Sequence, residues 1–215
     1  MAARLCLLVF ALVLPGGAWA AEVINSFHQA MVLDQDGSML VTETIAVNAE
    51  GRDIRHGIFR DFPLTFQDAG GKTATVDFAV QSVERDGATE PWKSERIDGG
   101  IRIYMGSADV TLDPGEHQYR LTYRTNRQIR YFTDHDELYW NVTGNGWSFR
   151  ILEASARVTL PDGVEQQGLG FATGPLGTKG KDARVSEDGR DLVFQTTRPL
   201  GPKEGLTIAV KLAKG

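Results

Sequence analysis

Twelve consecutive residues, Asp136 to Trp147, hold most of the side chains in this chain that could do chemistry. Asp136 and Glu137 are carboxylates, Tyr139, Trp140 and Trp147 are aromatic, and Asn141 and Asn145 carry side-chain amides. With Asp134 and His135 just upstream they form an acidic knot. Calcium binding, glycoside hydrolysis and ion pairing are the three chemistries open to it. Calcium takes about six to eight oxygens, and the spacing here, even with Asn141 or Asn145 added, matches no known loop pattern. Glycoside hydrolysis needs a second carboxylate at a set separation, and nothing in the sequence brings one to the knot. Ion pairing has partners close by in Arg120, Arg124, Arg127 and Arg130, so it is the expected state.

The aromatic residues of the same stretch carry a second expectation. Tyr139, Trp140 and Trp147 could form a platform that stacks on sugar rings, although Trp140 on an inward strand face would instead fill a core. Asn141-Val142-Thr143 fits a glycosylation sequon; the plainer reading is an Asn that satisfies backbone at a turn. A second cluster, Arg55, His56, Arg60 and Asp61, flanks a strand ending at Pro63. It could be a rim that binds an anion or a partner. The more economical reading has Arg60 holding a nearby carboxylate across the sheet edge.

No reaction is written here. His28, His56, His117 and His135 are scattered, with no H-E-x-x-H pair, no G-x-S-x-G elbow and no cysteine nucleophile. The expectation is a non-catalytic protein without metal or cofactor.

The elements that must position these residues are strands. Leu138, Trp140 and Val142 alternate with Tyr139, Asn141 and Thr143, and Gly144-Asn145-Gly146 offers the φ > 0 positions of a tight turn. The same period of two runs through Phe27, Met31 and Leu33, through Met39, Val41, Ile45 and Val47, and through Val76 to Val80. It returns at Ile101 to Met105, His117 to Tyr123, Ala154 to Leu160, Leu192 to Phe194 and Leu206 to Leu212. Asp36-Gly37, Asp86-Gly87 and Asp188-Gly189 punctuate these runs, a short-range hairpin signal. No window of helical period appears beyond the N-terminus. The pattern predicts an all-β, antiparallel β-sandwich. The glycine-rich stretch from Gly168 to Lys181 reads as a long loop or a poorly ordered edge.

Residues 1–20 read as a signal-peptide helix. Arg4 is followed by the apolar run Leu5 to Leu14, a Pro15-Gly16-Gly17 break and the small-x-small site Ala18-Trp19-Ala20. Cys6, the one cysteine, lies inside that run. Residues 21–215 then form a single extracytoplasmic domain that must rely on a core, since it has no cysteine for disulfides. Without Arg4 the chain keeps 22 Lys+Arg against 28 Asp+Glu, a net charge of −6. That balance argues against nucleic acid as a partner. No run after the signal is long enough to span a bilayer as a helix.

Three motifs together carry a family resemblance. They are Ser26-Phe27 with Asp36 to Ile45, Arg55 to Pro63, and Asp136 to Trp147 followed by Phe149 and Ile151. The chain resembles the N-terminal extracytoplasmic domain of predicted bacterial membrane proteins grouped as domain of unknown function 2207. The resemblance implies a β-rich domain displayed outside the cytoplasmic membrane, without established chemistry. Similar proteins continue into membrane helices and often a glycine-rich tail. This sequence stops at Lys214-Gly215, so a natural short form and a fragment cut before its anchor are both open. Arg150 stands where relatives tend to carry proline, which bears only on the local turn. The function expected is sensing or protein interaction at the envelope, with an envelope or membrane protein as partner. The alternative is a carbohydrate- or envelope-polymer-binding module built on Tyr139, Trp140 and Trp147.

Overall fold

Runs in which apolar and polar side chains alternate can bury one face only as strands, and the alternating runs of this chain do so. The computed structural model describes residues 22–67 and 73–214, and no helix occurs among them. The signal-peptide helix expected at 1–20 lies outside the described residues. In chain order the strands begin with β1 (Val23–Leu33), β2 (Met39–Ala49), β3 (Gly57–Pro63), β4 (Thr65–Gln67), β5 (Thr73–Thr75) and β6 (Phe78–Arg85). They continue with β7 (Ala88–Thr89), β8 (Trp92–Ile97), β9 (Gly100–Gly106), β10 (Gly115–Thr125), β11 (Ile129–Tyr131) and β12 (Asp136–Asn141). The last five are β13 (Ile151–Thr159), β14 (Gln166–Pro175), β15 (Ala183–Asp188), β16 (Asp191–Thr196) and β17 (Glu204–Leu212).

Eight of these strands form one large sheet in the order β15-β16-β13-β1-β2-β10-β6-β7. A four-stranded sheet, β11-β12-β17-β14, and a three-stranded sheet, β3-β9-β8, lie across its inner face, with β4 and β5 as a small separate hairpin. Inward side chains of all three sheets share one core. Phe27, Val41, Ile45, Leu121 and Phe194 come from the large sheet, Ile103 and Met105 from the three-stranded one, and Leu138, Ile208 and Val210 from the four-stranded one.

Most pairings are antiparallel, but β1 and β13 run parallel, from Ile24↔Ile151 to Val32↔Thr159. The chain leaves the large sheet for β12 and re-enters it beside β1. Such a crossover brings the returning strand in parallel, which no alternation pattern reveals. One turn matches its sequence signal closely and a second only in part. Asp86 (φ 53) and Gly87 (φ 81) are both left-handed, as a two-residue hairpin requires. Gly144 takes φ 71, whereas Gly146 is not left-handed, so one glycine turns the chain where two were expected.

The stretch from Gly168 onward is an edge, as one of the two expectations had it, but a regularly paired strand and not a long loop. Gly168 to Pro175 belongs to β14, which pairs along its length with β17, and Thr173 and Gly180 exchange backbone bonds across the following turn. Glycines that look like loop in sequence are tolerated here because β14 is an edge strand.

Glu22 clips the loop between β2 and β3. Its carboxylate accepts backbone N–H bonds from Glu50 at 3.1 Å, Arg52 at 3.0 Å, Asp53 at 2.8 Å and Ile54 at 3.2 Å. Burial pushes its pKa up, but the four donors outweigh burial and hold it below the ordinary glutamate value. A depressed folded pKa gives stability that is complete above the unfolded-chain value and lost as pH falls through the folded one. Glu22→Gln should therefore cost about 1–2 kcal/mol at neutral pH. The gap between variant and wild type in urea unfolding should narrow as the solution is made acid.

Candidate functional site

Three polar side chains occupy the inward phase of otherwise apolar strands: Gln29 in β1, Glu43 in β2 and Arg60 in β3. Glu43 is 0% exposed and Arg60 5%. The Arg60 guanidinium grips the Glu43 carboxylate with both edges of its fork, Nε to Oε2 at 2.6 Å and Nη2 to Oε1 at 2.8 Å. Its Nη1 donates to the carbonyl of Thr143, 2.9 Å away at the end of β12. Glu43 also accepts from Gln29 Nε2 at 2.8 Å and Tyr123 Oη at 3.2 Å. Gln29 Oε1 accepts in turn from Trp140 Nε1 at 2.7 Å. The network therefore ties all three sheets together.

Rings complete the environment of the cation. Arg60 lies 5.1 Å from the Phe27 ring centre, 4.9 Å from Phe62 and 5.7 Å from Trp147. Burial alone would push the Arg60 pKa down, but the Glu43 charge and hydrogen bonds override it and leave it raised. Burial, and then the same carboxylate, raise the Tyr123 hydroxyl well above its usual value. Gly144 is needed for two reasons. It is left-handed, and a Cβ there would sit 3.1 Å from Arg60 Nη1.

This geometry separates the residues singled out in the sequence. Arg60 holds a carboxylate, as the economical reading had it, but deep in the core rather than at a sheet edge. Arg55 is exposed, and His56 Nδ1 lies 2.8 Å from the carbonyl of Val110. The two do not converge with Arg60. Asp61 instead pairs in bidentate fashion with Arg102, at 2.6 and 2.7 Å, and this pairing holds the Arg102 pKa above its ordinary value. Asn141 and Asn145 bond each other at 2.9 Å, and both hold turn backbone: Asn141 accepts from Gly144 N, and Asn145 donates to the carbonyls of Gly174 and Lys203.

The acidic knot is not one cluster. Asp134 pairs with His135 at 2.8 Å, a bond that lowers the Asp134 pKa, and Asp136 pairs with Lys214 at 2.6 Å. Glu137 lies opposite Arg130 and Lys211 in register. Of the four arginines expected to neutralise the knot, Arg130 stays beside it on β11, but the two on β10 go elsewhere. Arg120 faces Glu84 at 4.0 Å and Arg124 faces Asp34 at 3.0 Å, because β10 runs beside β2 and β6 and not beside β12. The three-ring platform fails too. Trp147 is 8% exposed with its Nε1 bonded to the Thr143 carbonyl at 2.9 Å, Trp140 points inward, and only Tyr139 stands out at 44%.

What does open to solvent is a groove between the three- and four-stranded sheets. It has two connected parts, of about 260 and 610 Å³, which share Arg60, Asp61, Pro63, Asn141 and Gly144 and together follow β3 from end to end. Phe62, Phe78 and Trp140 give one part an apolar floor, with Arg127, Arg130 and Tyr139 on its rim. Sequence reading missed this floor, and it missed Gln29, Glu43 and Tyr123. The signal for Glu43 was present, a carboxylate in phase with Val41 and Ile45.

Fold and site together define a two-layer β-domain braced by a buried ion pair, with a groove between the two sheets that form one layer. The chain belongs to the family described as the predicted membrane protein (DUF2207) N-terminal domain, whose profile matches residues 23–212. It is 30% identical over 171 residues to the uncharacterized protein YciQ of Escherichia coli strain K12, a match covering 79% of this chain. The chain spans only about a quarter of that relative, 27% of its length. Among solved structures it is similar to leukotriene A4 hydrolase from Saccharomyces cerevisiae, with TM-score 0.55 and 12% identity over 88% of this chain and 29% of the enzyme. A putative protease from Parabacteroides distasonis gives TM-score 0.51 and 13% identity, over 87% of this chain and 40% of that one. At such identities the likeness shows the fold alone. Among the described residues no helix is long and apolar enough to cross a membrane.

The ion pair should dominate stability. Glu43→Gln or Arg60→Met should each cost about 3–5 kcal/mol, since each strands a buried charge. Glu43→Gln combined with Arg60→Met should lose clearly less than the two single losses added together. Urea denaturation of the four proteins checks this.

Proposed function

We propose that this domain works by contact rather than by reaction. It is a recognition module on the extracytoplasmic side of a membrane protein, and the groove along β3 is where a protein partner docks. The observation that carries the reading is the groove itself, long and apolar-floored, with walls fixed from below by the Glu43–Arg60 network. A preformed concave site of this kind needs little ordering when a ligand arrives.

The state of the polar groups supports the same reading. Asp61 is committed to Arg102, Asn141 and Asn145 to turn backbone, and Arg60 to Glu43. These groups shape the groove and keep its form. The family's description as a membrane-protein domain and the export signature of residues 1–20 support an outward-facing location. The hydrolase and protease names of the structural neighbours describe those proteins.

A photoreactive benzoylphenylalanine in place of Tyr139, introduced in the full chain in living cells, tests the reading. It should give a covalent adduct with an envelope protein, and the same group at Ser82, on the large sheet, should give none. Equal labelling from both positions, or none from Tyr139, would overturn it.

A further inference from the structure

The groove is bounded by two strand edges whose backbone groups point into it. Gly106 N donates to the Pro91 carbonyl on the β8 side of β9. Successive residues of a strand turn their backbone groups to opposite sides, so Met105, Ile103 and Ile101 face β3, where they meet Ile58, Arg60 and Phe62. Phe59 and Asp61 therefore direct their N–H and C=O groups away from β9, toward the groove. Pro63 falls on the same side, where its missing N–H breaks no ladder bond.

The parity is the same on the opposite wall. Val142 N donates to the Leu206 carbonyl, so Trp140 and Leu138 face β17, while Tyr139 and Asn141 face the other way. β11 covers that edge only as far as Leu138, opposite Ile129. Before Ile129 the chain turns off through Arg127, which is left-handed at φ 54. Among the described residues no other backbone bond replaces the missing strand for Phe59, Asp61, Tyr139 or Asn141.

We propose that the groove is a strand slot, occupied by an extended acidic segment of a partner protein that pairs with β3 on one side and β12 on the other. This rests on the docking reading above and names its occupant. An inserted strand continues the line of β11 and joins the three- and four-stranded sheets into one layer. Pairing through backbone gives affinity, and alternate side chains set specificity. The apolar floor takes one set of them.

Charge selects the other set. Arg127 Nη1 bonds only a carbonyl, that of Thr75 at 3.3 Å, and Arg130 lies over the Tyr139 ring at 4.2 Å. Neither has a carboxylate at ion-pair distance among the described residues. Asp61, on the β3 wall, is neutralised by Arg102, and Asp53 lines only the larger part of the groove. The smaller part, rimmed by Arg127 and Arg130, therefore presents unmatched positive charge to its occupant.

Fluorescein-labelled ten-residue peptides titrated into the full chain test the proposal. A peptide alternating Glu and Val should bind about tenfold tighter than one alternating Lys and Val, and Arg127→Glu with Arg130→Glu should reverse the order. Phe59→Pro and Phe59→Ala both lose the ring, but only the proline loses the groove-facing N–H. The proline variant should bind about tenfold more weakly than the alanine variant. N-methylation of alternate peptide residues should weaken binding as much with the protein left intact, which covers misfolding of the proline variant.

Equal binding by both Phe59 variants together with indifference to N-methylation would overturn strand pairing. Dimerisation of the chain that Phe59→Pro abolishes would also overturn it, by making a second copy the occupant. If the Tyr139 adduct persists in either case, docking in the groove stands and only its mode is wrong. If the adduct is absent as well, both readings fall.

Discussion

A carboxylate and a guanidinium, both withdrawn from water, hold the layers of this domain together. Taking either charge into a protein interior is costly, and the cost is offset only when the partner and the remaining hydrogen-bonding capacity are supplied in place. Here Glu43 has Arg60, Gln29 and Tyr123, and Arg60 has Glu43, the Thr143 carbonyl and three ring faces. Each donor comes from a different strand, so the network can be satisfied only when β1, β2, β3, β10 and the end of β12 are all in register.

The groove follows from that constraint. Two small sheets cover one large sheet and are not hydrogen-bonded to each other. They are held at a fixed separation because Arg60 reaches from β3 to the Thr143 carbonyl beneath the gap. Gly144 lets the chain pass close over the guanidinium at that point. The opening between the sheets is thus set by the core, and surface residues only decorate it.

Much of the fold was legible in the sequence. Period-two alternation fixed the long strands, and Asp-Gly pairs fixed several hairpins, because both signals are local. The parallel seam of β1 and β13 was not legible, since it depends on where the chain returns from the other layer. β14 read as a long loop or a poorly ordered edge; it is an edge, but an ordered strand, because its glycines hide a pairing that only β17 reveals. At the site, Arg60 and Trp147 stood out by type, but their burial depends on strands far away in sequence. Gln29 and Glu43 carried the clearest unused signal: polar side chains in phase with Phe27, Met31, Val41 and Ile45 must find partners inside. The acidic residues from Asp134 to Glu137 and the arginines of β10 seemed matched by proximity along the chain. Sheet order puts them on different sheets.

The parallel seam also bears on when the protein can fold. β1, the first described strand, lies in the middle of the large sheet, and its second neighbour starts only at Ile151. Until that distant stretch has emerged, one side of β1 stays open and the sheet cannot close. Contacts so widely separated form slowly. A chain built this way cannot complete its central sheet until the segment that begins at Ile151 is available to pair.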